Sequence, residues 1–180
     1  MLFLAFSSSF LGACLGSFAL VLAERTMQEK KWWGMSRSVC DACGKTLCAL
    51  ELVPVFSYLA LKGRCKNCGA KIPKSCLWVE ITGAVCGLLF ALRFQNNLFA
   101  LSLCHTALLF LTVSTVTDIK SGYIYDNWAF AGCFTPLLLR LAFGGVKPLL
   151  DGVLAAGFGF TLMFIIYICS RNLPISNRRL

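Results

Sequence analysis

CDACGKTLCALELVPVFSYLALKGRCKNC, residues 40–68, is the stretch on which the reading of the chain turns. Two Cys-x-x-Cys pairs, Cys40/Cys43 and Cys65/Cys68, stand twenty-one residues apart, and each is followed by a glycine, Gly44 and Gly69. A tight turn that carries two thiolates, with glycine where the backbone folds back, is how a zinc knuckle is built. Two such turns supply the four sulfurs of a tetrahedral site. The alternative reading is two reducible disulfides or four unrelated thiols. A four-cysteine site is closed, so the ion it holds staples a small domain and leaves no position for catalysis.

Composition sets the surroundings of this staple. The 180 residues are 58% hydrophobic and 14% charged, with a mean hydropathy of +0.74. Such a chain is too apolar for a soluble domain and reads as an all-α polytopic membrane protein of about five transmembrane helices. Its net charge of +9 comes from a few short stretches. That pattern is a topology signal and excludes a nucleic-acid surface. Of the eleven cysteines, Cys14, Cys86, Cys104, Cys133 and Cys169 fall in apolar runs, where a thiol behaves as a small hydrophobe. Cys48 and Cys76 flank the paired set without partner spacing.

Residues 1–23 form the first expected span, uncleaved, since no basic residue precedes the apolar run and no cleavage site follows it. Gly12 and Gly16 form a GxxxG pair suited to close helix packing. Residues 24–76 hold ten of the seventeen Lys and Arg residues against four acids. The positive-inside rule makes this zinc-ribbon-like loop domain cytoplasmic and puts the N-terminus outside. A reducing compartment keeps thiols free for metal. Within the loop, LVPVFSYLAL (52–61) packs against the membrane surface, against the helix ends, or as the small domain's own core.

Residues 77–180 supply the remaining spans, expected at 77–92, 99–117, 127–143 and about 149–169. Glu80 lies one turn inside the second, as a functional carboxylate or as an interfacial acid that snorkels. His105, the single histidine, reads as a helix–helix hydrogen-bonding residue. Asp118 falls at the cytoplasmic end of the third span, where an acid opposes the helix dipole and needs another reason to be there. Asp126 begins the next helix.

GSF (16–18), Arg25, the SRSVCDACGKTL stretch, LVPVFSYLALKGRCKNCGAKI (52–72), WVEITG (78–83) and the D-x-K-x-x-x-I-x-D pattern of Asp118–Asp126 together resemble the type IV prepilin peptidases. The form is similar to those of Gram-positive competence and pilus systems. The resemblance implies an intramembrane aspartyl protease in the inner or plasma membrane. It would cut the basic leader from prepilins or pseudopilins at the cytoplasmic face, and S-adenosylmethionine would serve N-methylation of the new terminus. Arg25 and Glu80 are then candidates for the methyl-transfer site, and a homodimer stays open. Asp118 matches the first catalytic aspartate. The second belongs to a Gly-x-Gly-Asp motif after the span at 149–169, where this sequence reads SRNLPISNRRL. A truncated or frameshifted copy, a short form made by design, or a half working with a separate partner are the expectations this raises. With them comes a non-enzymatic alternative, a zinc-stabilised protein that binds prepilins without cutting them. Asp126 would lie about 12 Å from Asp118 on an ideal helix and is not read as its partner. The family's asparagine two positions after GSF is Leu20 here, and the proline before its loop acid is Tyr125.

Overall fold

The structure, a computed structural model, describes residues 1–30, 37–144, 150–159 and 161. Among the described residues three helices are long and apolar enough to cross a membrane: α1 (Leu2–Met27), α3 (Lys74–Arg93) and α4 (Leu98–Ser121). Between α1 and α3 lie a short 3-10 turn (Ala49–Leu52) and a one-turn helix, α2 (Phe56–Ala60). After α4 comes α5 (Asp126–Leu139), which contains Pro136 and runs into a π-helical turn, Arg140–Gly144. No strand occurs among the described residues, only two isolated bridges.

Each long helix runs past the span read from hydropathy because polar residues finish its last turns. α1 continues through Glu24 and Arg25, and α4 through Asp118 to Ser121. Gly122, at φ +66°, then closes α4 in the left-handed conformation, and its N–H donates to the Asp118 carbonyl. At the other end of α4 the Asn97 side chain accepts from the Ala100 N–H at 2.9 Å. At 127–143, where the fourth span is expected, the chain forms α5 and its π turn, and α5 with 14 residues is shorter than the three candidate spans. Residues 137–180 cluster as a second unit with a short apolar helix at Leu150–Gly159, and about half of the expected fifth span lies outside the described residues.

Small residues set the packing of α1 on α3. A Cβ added at Gly12 would collide with the Gly83 carbonyl, one at Gly16 would lie 2.7 Å from the Val79 carbonyl, and one at Gly87 would collide with the Ser8 carbonyl. With no side chains between them, the two backbones touch. Ser8 Oγ donates to the Gly87 carbonyl at 2.6 Å and Ser9 Oγ to the Ala84 carbonyl at 3.0 Å, so the hydroxyls are satisfied across the seam. The GxxxG pair is therefore a contact face.

α4 closes the group. Ala19, Leu20, Leu22 and Ala23 of α1 pack with Val113 and Val116 of α4 into one buried cluster. Leu20 sits inside this cluster, which gives an apolar residue at that position a packing role. His105 is buried, with Nδ1 2.9 Å from the Leu101 carbonyl, Nε2 3.2 Å from Ser8 Oγ, and its ring edge-on to Phe90. It is the interhelical hydrogen-bonding residue its position suggested. Phe3, Phe6, Leu89, Leu92 and Leu111 remain exposed on the outer surfaces of the three helices. Lipid tails are the solvent that suits such a surface.

Candidate metal centre and the acids at the same end

The two cysteine pairs fold into two turns of the same geometry. In the first, the Cys40 N–H donates to the Lys45 carbonyl at 2.9 Å and the Gly44 N–H to the Cys40 carbonyl at 2.8 Å. In the second, the Cys65 N–H donates to the Ala70 carbonyl at 2.8 Å and the Gly69 N–H to the Cys65 carbonyl at 2.9 Å. Gly44 and Gly69 take φ +69° and +71°, which explains why glycine follows each pair. An isolated antiparallel bridge closes each turn, Val39 with Thr46 and Arg64 with Lys71.

The turns face each other. All four sulfurs lie within 4.8 Å of one another, and Cys40 Sγ stands 3.9 Å from Cys68 Sγ. A tetrahedral ion with sulfur bonds of about 2.3 Å requires sulfur–sulfur separations of about 3.8 Å. The cluster therefore has the size to hold one metal ion. No disulfide occurs among the described residues. N–H donors already point at the sulfurs. The Lys45 N–H, with the Asn67 amide 3.7 Å away, holds the Cys43 thiol below its usual range. The Cys68 and Asn67 N–H groups bring Cys65 down to about 7. At Cys68 the Ala70 N–H pulls downward, but some loss of hydration and the thiols of Cys43, Cys65 and Cys40 prevail and push it up to about 11. Four thiols this close cannot all ionise without a cation between them.

The segment is tied to the helices by Glu80. This carboxylate is 9% exposed. Its Oε1 accepts from Ser17 Oγ of α1 at 2.8 Å, and its Oε2 accepts from the Val55 N–H at 2.7 Å. The alternative of an interfacial acid that snorkels outward does not fit this environment. Ser17, within GSF, and Val55, within the stretch 52–61, stood in the sequence without a role at Glu80. Neither carries a chemical signal until the fold brings them to Glu80. Of the apolar stretch 52–61, Pro54 is buried, whereas Phe56 and Leu59 are exposed.

Asp118 is exposed in the last turn of α4. Two steps on, Lys120 Nζ pairs with Glu24 Oε1 at 2.7 Å, at the end of α1 that leads into the metal segment. Trp128 Nε1 donates to Thr26 Oγ1 at 2.8 Å beside it. Asp118 and the cysteine cluster therefore lie at the same end of the helix group. Asp126, the first residue of α5, is exposed and separated from Asp118 by the Gly122 turn, so the two do not share one continuous helix. Arg25 lies in the last turn of α1.

Residues 10–94 match the family described as the bacterial peptidase A24 N-terminal domain. Over those residues, a little under half of its length, the chain is similar to that domain. The A24 match takes in most of α1, the metal segment and α3, which is the part that Glu80 and the glycine seam hold together. Beyond it, the chain is similar to the prepilin leader peptidase/N-methyltransferase of Pseudomonas putida, 29% identical over 178 residues, covering 87% of this chain and 61% of that protein. It is similar also to the type 4 prepilin-like proteins leader peptide-processing enzyme of Escherichia coli, 27% identical over 165 residues with the same two coverages, 87% and 61%. A shorter match, 39% identical over 61 residues, is to the prepilin leader peptidase/N-methyltransferase of Dichelobacter nodosus and covers 34% of this chain and 21% of that one. The chain thus spans about three fifths of the length of the first two relatives. No solved structure matches it.

Proposed function

We propose that this protein acts in prepilin processing: it cleaves the basic leader of prepilins or pseudopilins at the cytoplasmic membrane face and N-methylates the new terminus with S-adenosylmethionine. The observation that carries the reading is the A24 N-terminal domain itself, whose four-thiol segment lies at the same end of the helices as Asp118. In this reading the metal segment, residues 24–76 with its ten basic side chains, faces the cytoplasm of a plasma or inner membrane. The helical remainder, residues 77–180, carries the peptidase side.

Cys40, Cys43, Cys65 and Cys68 would hold zinc as a closed structural site. When bound, the ion supplies folding energy and no reactive position. Asp118 is assigned one carboxylate of an aspartyl pair. One member of such a pair is ionised and takes a proton from water, while its neighbour is protonated and donates to the scissile carbonyl. Exposure at a helix end gives Asp118 access to a peptide arriving from the aqueous side.

The test is to give a prepilin-like peptide to membranes containing the full chain and to follow leader loss and methyl addition by mass spectrometry. Leader loss by the natural sequence, absent in Asp118→Asn at equal metal content, is the expected result. Unchanged cleavage in that variant would remove Asp118 from the chemistry. No cleavage by the natural sequence would remove the peptidase reading.

A further inference from the structure

Val55 occupies a backbone conformation that valine avoids. It has φ +64° and ψ −51°, and the Phe56 N–H donates across it to the Pro54 carbonyl at 2.7 Å. This is a γ-turn with its central residue at positive φ, a rare and strained form. A β-branched residue is among the least suited to it. Such conformations cost about 1–3 kcal/mol each and persist only where the surroundings impose them.

What imposes this one is visible. The N–H of Val55 donates to Glu80 Oε2, while Glu80 Oε1 takes the hydroxyl of Ser17. Both oxygens of this buried carboxylate are thus engaged in joining α1, α3 and the turn. Immediately after the turn α2 begins, and α2 is bonded through Gly63 to the base of the second cysteine turn. The Gly63 N–H donates to the Tyr58 carbonyl at 2.8 Å, the Ile72 N–H to the Gly63 carbonyl at 2.8 Å, and Tyr58 packs under Gly63. The position of Cys65 and Cys68 therefore follows from the turn at Val55. Beneath it, Ser17, Leu20, Tyr58, Leu61, Cys65 and Glu80 help line a cavity of about 350 Å³ between the segment and the helices.

We propose that Glu80 is a positioning residue: as a hydrogen-bond acceptor it holds the strained turn at Val55 and so fixes the metal segment on α1 and α3. It does not transfer a proton. Glutamine serves this role, because its carbonyl can accept from Val55 while its amide donates to the Ser17 hydroxyl. Alanine does not.

The experiment is hydrogen exchange read by mass spectrometry on peptides covering 53–61, in the full metal-loaded protein. Glu80→Ala should speed exchange there by about tenfold or more, with the helix peptides of α1 and α3 unchanged. Glu80→Gln should stay within about threefold of the natural protein. Glycine adopts positive φ without strain, so Glu80→Ala should cost less protection in a Val55→Gly background, a coupling that a general loss of packing would not produce. The peptide-processing assay, which alone rests on the function proposed above, should rank the variants the same way. Unchanged exchange in Glu80→Ala, or a Val55→Gly background with no coupling, would overturn the proposal. So would Glu80→Gln that loses processing as fully as Glu80→Ala while 53–61 stays protected, since that outcome marks a reacting carboxylate. If no variant processes peptide, the exchange arms still decide the role of Glu80, and only the processing reading falls. Should Glu80→Ala fail to accumulate, Ser17→Ala removes one of the two bonds and should speed exchange by a smaller factor; no change there would count against the proposal.

Discussion

Between residues 37 and 73 only Pro54 and Gly63 are buried, whereas α1 alone buries eight residues against its neighbours. The two regions are adjacent yet held in different ways. α1 and α3 meet through backbone atoms, with glycine and serine removing every obstacle between them. The metal segment has almost no apolar interior, since the 3-10 turn and α2 contain no buried residue. Its order comes from two hydrogen-bonded turns that point four sulfurs at one place, and from one carboxylate that fastens α2 to the helices. With an ion in the cluster, a segment of this kind would depend on that ion and its tether as a core depends on its volume.

The largest break in that contrast comes from a sulfur. Cys43→Ser should abolish metal retention and leave 37–73 open to protease, because structural tetrathiolate sites contribute on the order of 10 kcal/mol. α1 and α3 should stay resistant in the same digest. The helix seam should break next. Gly83→Val would drive a side chain into the Gly12 carbonyl, and the cost should be about 3 kcal/mol or more. Thermal unfolding in detergent would show it as a lowered midpoint, with metal content per folded chain unchanged. The cysteine turns offer a finer comparison. Gly44 and Gly69 share their positive φ, and nothing lies within 4 Å of a Cβ at either. Gly44→Ala and Gly69→Ala should each cost about 1 kcal/mol and weaken metal retention against a chelator equally. Unequal losses would mean that the two turns are not equivalent. The smallest effect is expected at the pair Lys120–Glu24, whose side chains are 34% and 43% exposed. Lys120→Ala should change stability by no more than about 1 kcal/mol.

The same contrast explains what could be read in the sequence. The cysteine turns were legible because their geometry is local: cysteines with two residues between them and a glycine at positive φ fit within one short motif. The three long helices were legible from apolar length, and their ends were not, because Glu24, Arg25 and Asp118 sit on final turns that hydropathy discounts. The Gly12–Gly16 face had a signal, although its partners Gly83 and Gly87 gain meaning only once α3 is laid against it. Glu80 stood out as an acid inside an apolar run. Its partners did not, since a serine in one helix and a backbone N–H in a loop acquire their role only through tertiary contact. The positive φ of Val55 was beyond any local rule, because propensity argues against it and the Glu80 bond overrides propensity.

The central claim is that the cysteine segment is built by a metal and the helices are not. The measurement that tests it most directly is elemental analysis of the purified full chain, followed by limited proteolysis before and after chelation. The account predicts about one zinc ion per chain, and a segment 37–73 that becomes cleavable on chelation while α1, α3 and α4 persist. Metal-free protein whose four paired thiols react freely, with 37–73 as protected as before, would contradict it.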